Sequence, residues 1–166
     1  PALAPLLRFT PGACTAASRA LAQGAVILTD TAMAAAAVAP MAARTFANPV
    51  HCVLQWAPAL APEGQTRAAL GMAAALQAHP GAVVLIGSAP TALELLLDRV
   101  AQGDPAPALV IGMPVGFVGV ADSKRRLAAS GLPQIRLEGS RGGAGLVAAA
   151  VNALLRRAWL DQRANG

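Results

Sequence analysis

Two glycine-bearing stretches hold the residues best suited to chemistry: Gly87-Ser88-Ala89-Pro90-Thr91 and Gly112-Met113-Pro114-Val115-Gly116-Phe117-Val118-Gly119. Each follows a short, β-branched apolar run, Val83–Ile86 and Ala108–Ile111, and each opens a stretch of helical spacing. The first N–H groups of a helix lack intrahelical acceptors, and the helix dipole favours negative charge beside them. Such corners can therefore seat an anion without any charged side chain. A third glycine corner, Gly139-Ser140-Arg141-Gly142-Gly143, precedes the last helical stretch. The plainer alternative is that these glycines only make tight turns. Two such loops on neighbouring strands favour a binding edge, because ligands of open parallel sheets sit beyond the carboxyl ends of the strands.

The elements that must position these corners follow from periodicity. Val83–Ile86 and Ala108–Ile111 have the length and composition of buried parallel strands. Between them Leu93, Leu96, Leu97 and Val100 recur at helical spacing over Thr91–Val100, making a βαβ unit. Further strands are expected at Ala25–Thr29, Asn48–Gln55 and Gln134–Glu138, the last alternating as an edge or one-face-exposed strand would. Helices are expected over Ala13–Ala22, Thr31–Val38 (ending before Pro40), Thr66–His79, Ala121–Ala129 and Leu146–Leu160. Residues 1–7 carry no element, and Arg8–Gly12 reads as a turn. On Ala121–Ala129 the basic run Lys124, Arg125 and Arg126 falls on the exposed side. The whole predicts an α/β single domain over residues 1–166, doubly wound, with a mostly parallel sheet of about five strands and helices on both faces.

Composition narrows the function. One domain of 166 residues can build a full core. No apolar run reaches the ~18–20 residues of a membrane span, and no secretory signal opens the chain. Cys14 and Cys52 lack metal-ligand spacing and read as reduced thiols of a cytoplasmic protein, so neither a metal nor a disulfide is expected. The net charge of +5 is spread along the chain, and only 3% of residues are aromatic, too few to stack bases. Nucleic acid is therefore not the expected partner; a small polyanion fits better, as does a charge that serves only solubility, the default reading of a modest excess.

The quoted corners, closely followed by Asp122-Ser123-Lys124, resemble the precorrin-8X methylmutase family of cobalamin biosynthesis. Weaker blocks agree in order: Leu7–Ala13 (LRFTPGA), Gly24–Asp30 (GAVILTD), Thr66-Arg67, and Gly142-Gly143 before Val151-Asn152-Ala153-Leu154. The resemblance implies an isomerase that migrates the ring C methyl group of precorrin-8X, giving hydrogenobyrinic acid or its cobalt form. It implies no consumed cofactor, and a homodimer with sites near the subunit interface.

A flat tetrapyrrole fringed with carboxylates needs an apolar slot and several anion-binding points. The substrate-binding set expected on this resemblance is Asp30, Thr66, Arg67, Gly87, Ser88, Ala89, Pro90, Thr91, Met113, Pro114, Val115, Gly116, Phe117, Lys124, Arg141, Gly142 and Gly143. Amides of the three corners would take carboxylates, with Arg67, Lys124 and Arg141 adding charge-assisted contacts. Met113, Val115 and Phe117 would face the macrocycle. Alternatives stay open: Phe117 as core, Lys124–Arg126 as a solvated face, and Asp30 as a helix cap or a polar contact at the site.

Three departures qualify the resemblance. The family's catalytic histidine lies upstream of LRFTPGA, so the expectation is that the family's N-terminal segment is missing. Neither His51 nor His79 matches that histidine's motif. Ser88 stands where the family usually has Asn. The last corner reads Gly-Ser-Arg-Gly-Gly-Ala rather than Gly-Arg-x-Gly-Gly-Ser. The alternatives are a non-catalytic tetrapyrrole-binding paralogue and a nucleotide-binding module. Against the latter stands the lack of a Gly-x-Gly-x-x-Gly fingerprint or a Walker Lys-Ser/Thr pair.

Overall fold

A computed structural model describes residues 2–166; Pro1, the first residue of the stretch left without an element above, lies outside the described residues. The most apolar runs form the centre of the sheet. β4 (Val83–Ile86) and β5 (Leu109–Gly112) are buried at every position and pair in parallel register, Val83 with Leu109 through Ile86 with Gly112. Successive strand side chains point to opposite faces. Val83, Leu85, Leu109 and Ile111 accordingly enter one core, and Val84, Ile86 and Val110 enter the other.

Among the described residues the sheet has six strands, one more than expected, in the order β1-β6-β5-β4-β2-β3. β2 (Ile27–Thr29) lies parallel between β4 and β3 (Val50–Cys52). The extra strand is β1 (Leu7–Phe9), antiparallel to β6 (Gln134–Leu137), with Leu7 opposite Leu137. It occupies part of the segment read as a turn, and it makes β6 an interior strand, which removes the edge alternative. Both edge strands are three residues long, which limits the unpaired edge they expose.

Helices cover both faces. α1 (Ala13–Ala22), α2 (Ala32–Arg44) and α6 (Ala144–Ala164) supply Ala17, Leu21, Ala34, Val38, Val147 and Val151 to one core. α3 (Arg67–Ala78), α4 (Pro90–Ala101) and α5 (Val120–Ala129) supply Met72, Leu93, Leu96 and Leu127 to the other. This is the doubly wound α/β architecture that the alternation predicts.

Among the boundaries that differ from the expectation, three have a visible cause. α2 continues through Pro40 to Arg44, because Pro40 is on the exposed side while Val38 and Ala42 stay packed in the core. β3 stops at Cys52, and Val53–Trp56 turns into a 3-10 helix against α3. Asn48 is buried outside the strand, its Nδ2 donating to the carbonyls of Leu21 and Ala25 at 2.9 Å each.

Candidate functional site

From β2 the chain moves outward to β3, then crosses back to β4 on the other side of β2 and continues through β5 to β6. The topological switch point is therefore the gap between β2 and β4, where doubly wound sheets hold ligands at the carboxyl ends of the strands. Asp30 sits immediately after β2 and Gly87 immediately after β4.

The anion at this point is the protein's own. Asp30 is buried, and its Oδ1 accepts the Gly87 N–H at 3.1 Å while its Oδ2 accepts those of Ser88 and Ala89 at 2.8 Å each. The amides expected to receive a ligand's carboxylate at this corner are thus already matched. A carboxylate beside the start of α4 is favoured for the same reason a bound anion would be. Capping of its own following helix, one role left open for Asp30, is not seen; the carboxylate instead holds, across the sheet, the Gly87–Ala89 loop that leads into α4. The helix that follows Asp30, α2, is capped by Thr31, whose hydroxyl accepts the Ala34 N–H at 3.2 Å.

The three glycine corners lie on one rim and touch one another through backbone. A Cβ on Gly87 would come within 2.6 Å of the Gly143 carbonyl carbon, and one on Gly142 would overlap the Met113 carbonyl oxygen. The Gly143 N–H donates to that Met113 oxygen at 3.0 Å, and the Gly116 N–H donates to the Ser140 oxygen at 2.9 Å. Ser140, missed in the sequence reading, thereby joins the second and third corners. No side chain separates the loops, so any ligand lies over them rather than between them.

Around this platform the expected residues divide. Thr66 caps α3, and its hydroxyl pairs with that of Thr91 on α4 at 2.8 Å. Arg67 is exposed beside it, its Nε held by the Pro58 carbonyl at 2.8 Å. Ser88 is exposed, Ala89 is the N-cap of α4, and Pro90 is its first residue. Arg141 is exposed, whereas Gly142 and Gly143 are half-buried. Val115 is 47% exposed and Phe117 87%, with Val118, not singled out before, at 92%. Phe117 is therefore not core.

Two further readings need correction. Met113 does not face outward: it is buried in the core under α1, α2 and α6, with Pro114 buried beside it. Lys124 is not on the exposed side of α5. It is only 6% exposed, and its Nζ donates to the carbonyls of Gly139 at 2.6 Å and Arg141 at 2.8 Å. Arg125 and Arg126 do face solvent, Arg126 pairing with Glu94 and, at 2.6 Å, with Asp98 of α4. Lys124 and Arg126 are two positions apart, so they cannot share one face of a helix. Burial of the ammonium lowers the Lys124 pKa from its ordinary value.

The histidines lie apart from the corners. His79 ends α3 at the end opposite Thr66, and the 12 residues of that helix span ~18 Å. His51 stacks on it with ring centroids 5.5 Å apart, and Trp56 meets both edge-on. Among the described residues no group of three or more His, Cys, Asp or Glu could hold a metal ion, and no helix is long and apolar enough to cross a membrane.

Comparison with known proteins agrees with this fold. The family model for precorrin-8X methylmutase matches residues 1–157. The precorrin-8X methylmutase of Pseudomonas aeruginosa is 50% identical over 153 residues, covering 89% of this chain and 73% of the relative. The cobalt-precorrin-8 methylmutase of Synechocystis is 42% identical over 141 residues, covering 85% of this chain and 64% of the relative. The crystal structure of precorrin-8x methyl mutase from Thermus thermophilus superposes with a TM-score of 0.81 at 42% identity, over 93% of this chain and 77% of that one. With its fold and these relatives in agreement, the chain belongs to the precorrin-8X methylmutase family, an isomerase family of cobalamin biosynthesis.

Proposed function

We propose that the rim binds precorrin-8X, or its cobalt form, and that the protein serves the migration of the ring C methyl group to the neighbouring ring carbon. The product holds the same atoms as the substrate, so the step needs no oxidant, reductant or group donor. One observation carries the reading: the fused backbone platform is bordered by the exposed side chains of Val115, Phe117 and Val118 and by the cations Arg67 and Arg141. A broad apolar face edged by carboxylates needs that combination, with apolar contact across the ring and charge at its margin. Ser88 and the Thr66–Thr91 hydroxyl pair add hydrogen-bonding groups on the same side. A nucleotide fits less well, because Asp30 occupies the helix start where its phosphate would lie. No proton transfer is assigned to His51 or His79.

We further infer that the protein acts in the cytoplasm as a homodimer. The exposed side of α2 supports the pairing, since Met33, Ala36, Ala37, Ala39, Pro40 and Ala43 present no charge there. Absorbance titration with hydrogenobyrinic acid, run beside NAD and ATP, tests the ligand class. Saturable spectral shifts with the corrinoid alone are expected, and tight nucleotide binding without them overturns the reading. Sedimentation tests the pairing, which a monomer at high concentration refutes.

A further inference from the structure

The chain carries 13 basic side chains, and Lys124 is the one lysine among them. It is also the most deeply placed cation of the rim, and among the described residues it forms no salt bridge. Its partners are carbonyl oxygens at two positions of one loop, Gly139 and Arg141. On its other side that loop is held to the β5 corner by the Ser140 oxygen and the Gly143 amide. Between those attachments lie the exposed Arg141 side chain and the Gly142 backbone pressed against Met113.

We propose that Lys124 is a positioning residue: its ammonium fixes the 139–143 loop, and through it the Arg141 side chain, without itself touching the ligand. A compact ammonium with three rotatable donors can seat between two carbonyls on different residues. A guanidinium carries its donors in a flat fork suited to carboxylates and fits that seat poorly. A sole lysine in an arginine-rich chain falls where this difference in shape matters. Arg125, Arg136 and Glu138 line, with Lys124, a cleft of about 290 Å³ between α5 and β6, and Glu138 there is tied to Arg8 at 2.9 Å. The seat thus depends on carbonyl oxygens rather than on a carboxylate partner.

The effect on binding rests on the corrinoid reading above, whereas the effect on the loop does not. Amide hydrogen exchange in the free protein is compared for the parent, Lys124→Met and Lys124→Arg. Exchange of the Gly143 and Gly116 amides, whose bonds hold the loop to the β5 corner, should quicken by roughly tenfold or more in both variants, with β4 and β5 unchanged. Unchanged loop exchange, or full rescue by arginine, overturns the proposal. Should Lys124→Met fail to fold, Lys124→Gln, which keeps a donor on a shorter stem, takes its place in both assays.

Titration with hydrogenobyrinic acid then separates positioning from contact through a double-mutant cycle with Arg141→Ala. Lys124→Met should weaken binding by about tenfold alone and by less than about twofold when Arg141 is already alanine. An undiminished loss in that background means that Lys124 meets the ligand directly. If the parent binds no corrinoid, the exchange result still decides the loop's anchor, and the functional reading alone has failed.

Discussion

The Oδ2 of Asp30 lies 2.8 Å from the backbone nitrogen of Ala89, joining the end of β2 to the start of α4 across the topological switch point. With Gly87 and Ser88 it completes three charge-assisted bonds to one buried carboxylate. Asp30→Asn removes the charge and turns part of the side chain into a donor facing donors. A loss of about 2–3 kcal/mol in urea unfolding is expected, the range for bonds to a charged group. A change too small to resolve would show that the loop holds its shape unaided.

Gly142→Ala should destabilise more than an ordinary surface change, by roughly 2–4 kcal/mol, because the added carbon meets backbone rather than a movable side chain. Gly145→Ala, three residues on and inside α6, has nothing within 4 Å of the new carbon. It should leave stability unchanged or raise it by ~0.5–1 kcal/mol. Thermal unfolding of both checks the contrast, and equal effects would refute the close contact.

Phe117→Ala and Val118→Ala should shift stability by less than about 0.5 kcal/mol, since both side chains stand in solvent. Their effect belongs to binding, where each is expected to weaken corrinoid affinity by roughly tenfold through lost apolar contact. Parent-like titration curves for both would remove this loop from the binding surface.

Arg141→Ala and Arg67→Ala should each weaken corrinoid binding and flatten its salt dependence, because each removes a cation from a carboxylate-edged ligand. Titrations at low and high salt decide it. Parallel salt slopes for parent and variants would show that neither arginine anchors the ligand.

Desolvation holds the Lys124 ammonium below its ordinary value of 10.5. Between the folded value and 10.5 the unfolded chain binds the proton more tightly, so this group's contribution to stability rises with pH through that window. Unfolding free energy of the parent should therefore climb relative to Lys124→Met as the pH is raised toward 10.5. The one lysine side chain also gives a single 15Nζ signal whose titration midpoint should fall below 10.5. A midpoint at or above that value would contradict the burial argument.

The sequence made β4, β5 and the gathering of glycine corners legible because each is written locally, in a run of apolar residues ended by glycine. What it hid was written at long range. The amides that satisfy Asp30 lie 57–59 positions away, so its hold on the β4–α4 loop has no local sign. Leu7–Phe9 is a strand only because β6 reaches it from the other end of the chain. Lys124 looked solvated because it opens a Lys-Arg-Arg run, yet one residue's rotation around α5 separates the buried cation from Arg125. Pro40 signalled a helix end that the buried Val38 and Ala42 overrode.

The cluster of His51 on the outermost parallel strand with Trp56 just after it and His79 at the end of α3 has an optical consequence. Indole emission depends on the groups packed against the ring, so separating these rings would change the emission of Trp56. Trp159, the other tryptophan, meets Phe46 instead, on α6. The two fluorophores therefore report from opposite faces of the sheet, and a displacement of His51 with β3 would register in the emission of Trp56 rather than in that of Trp159.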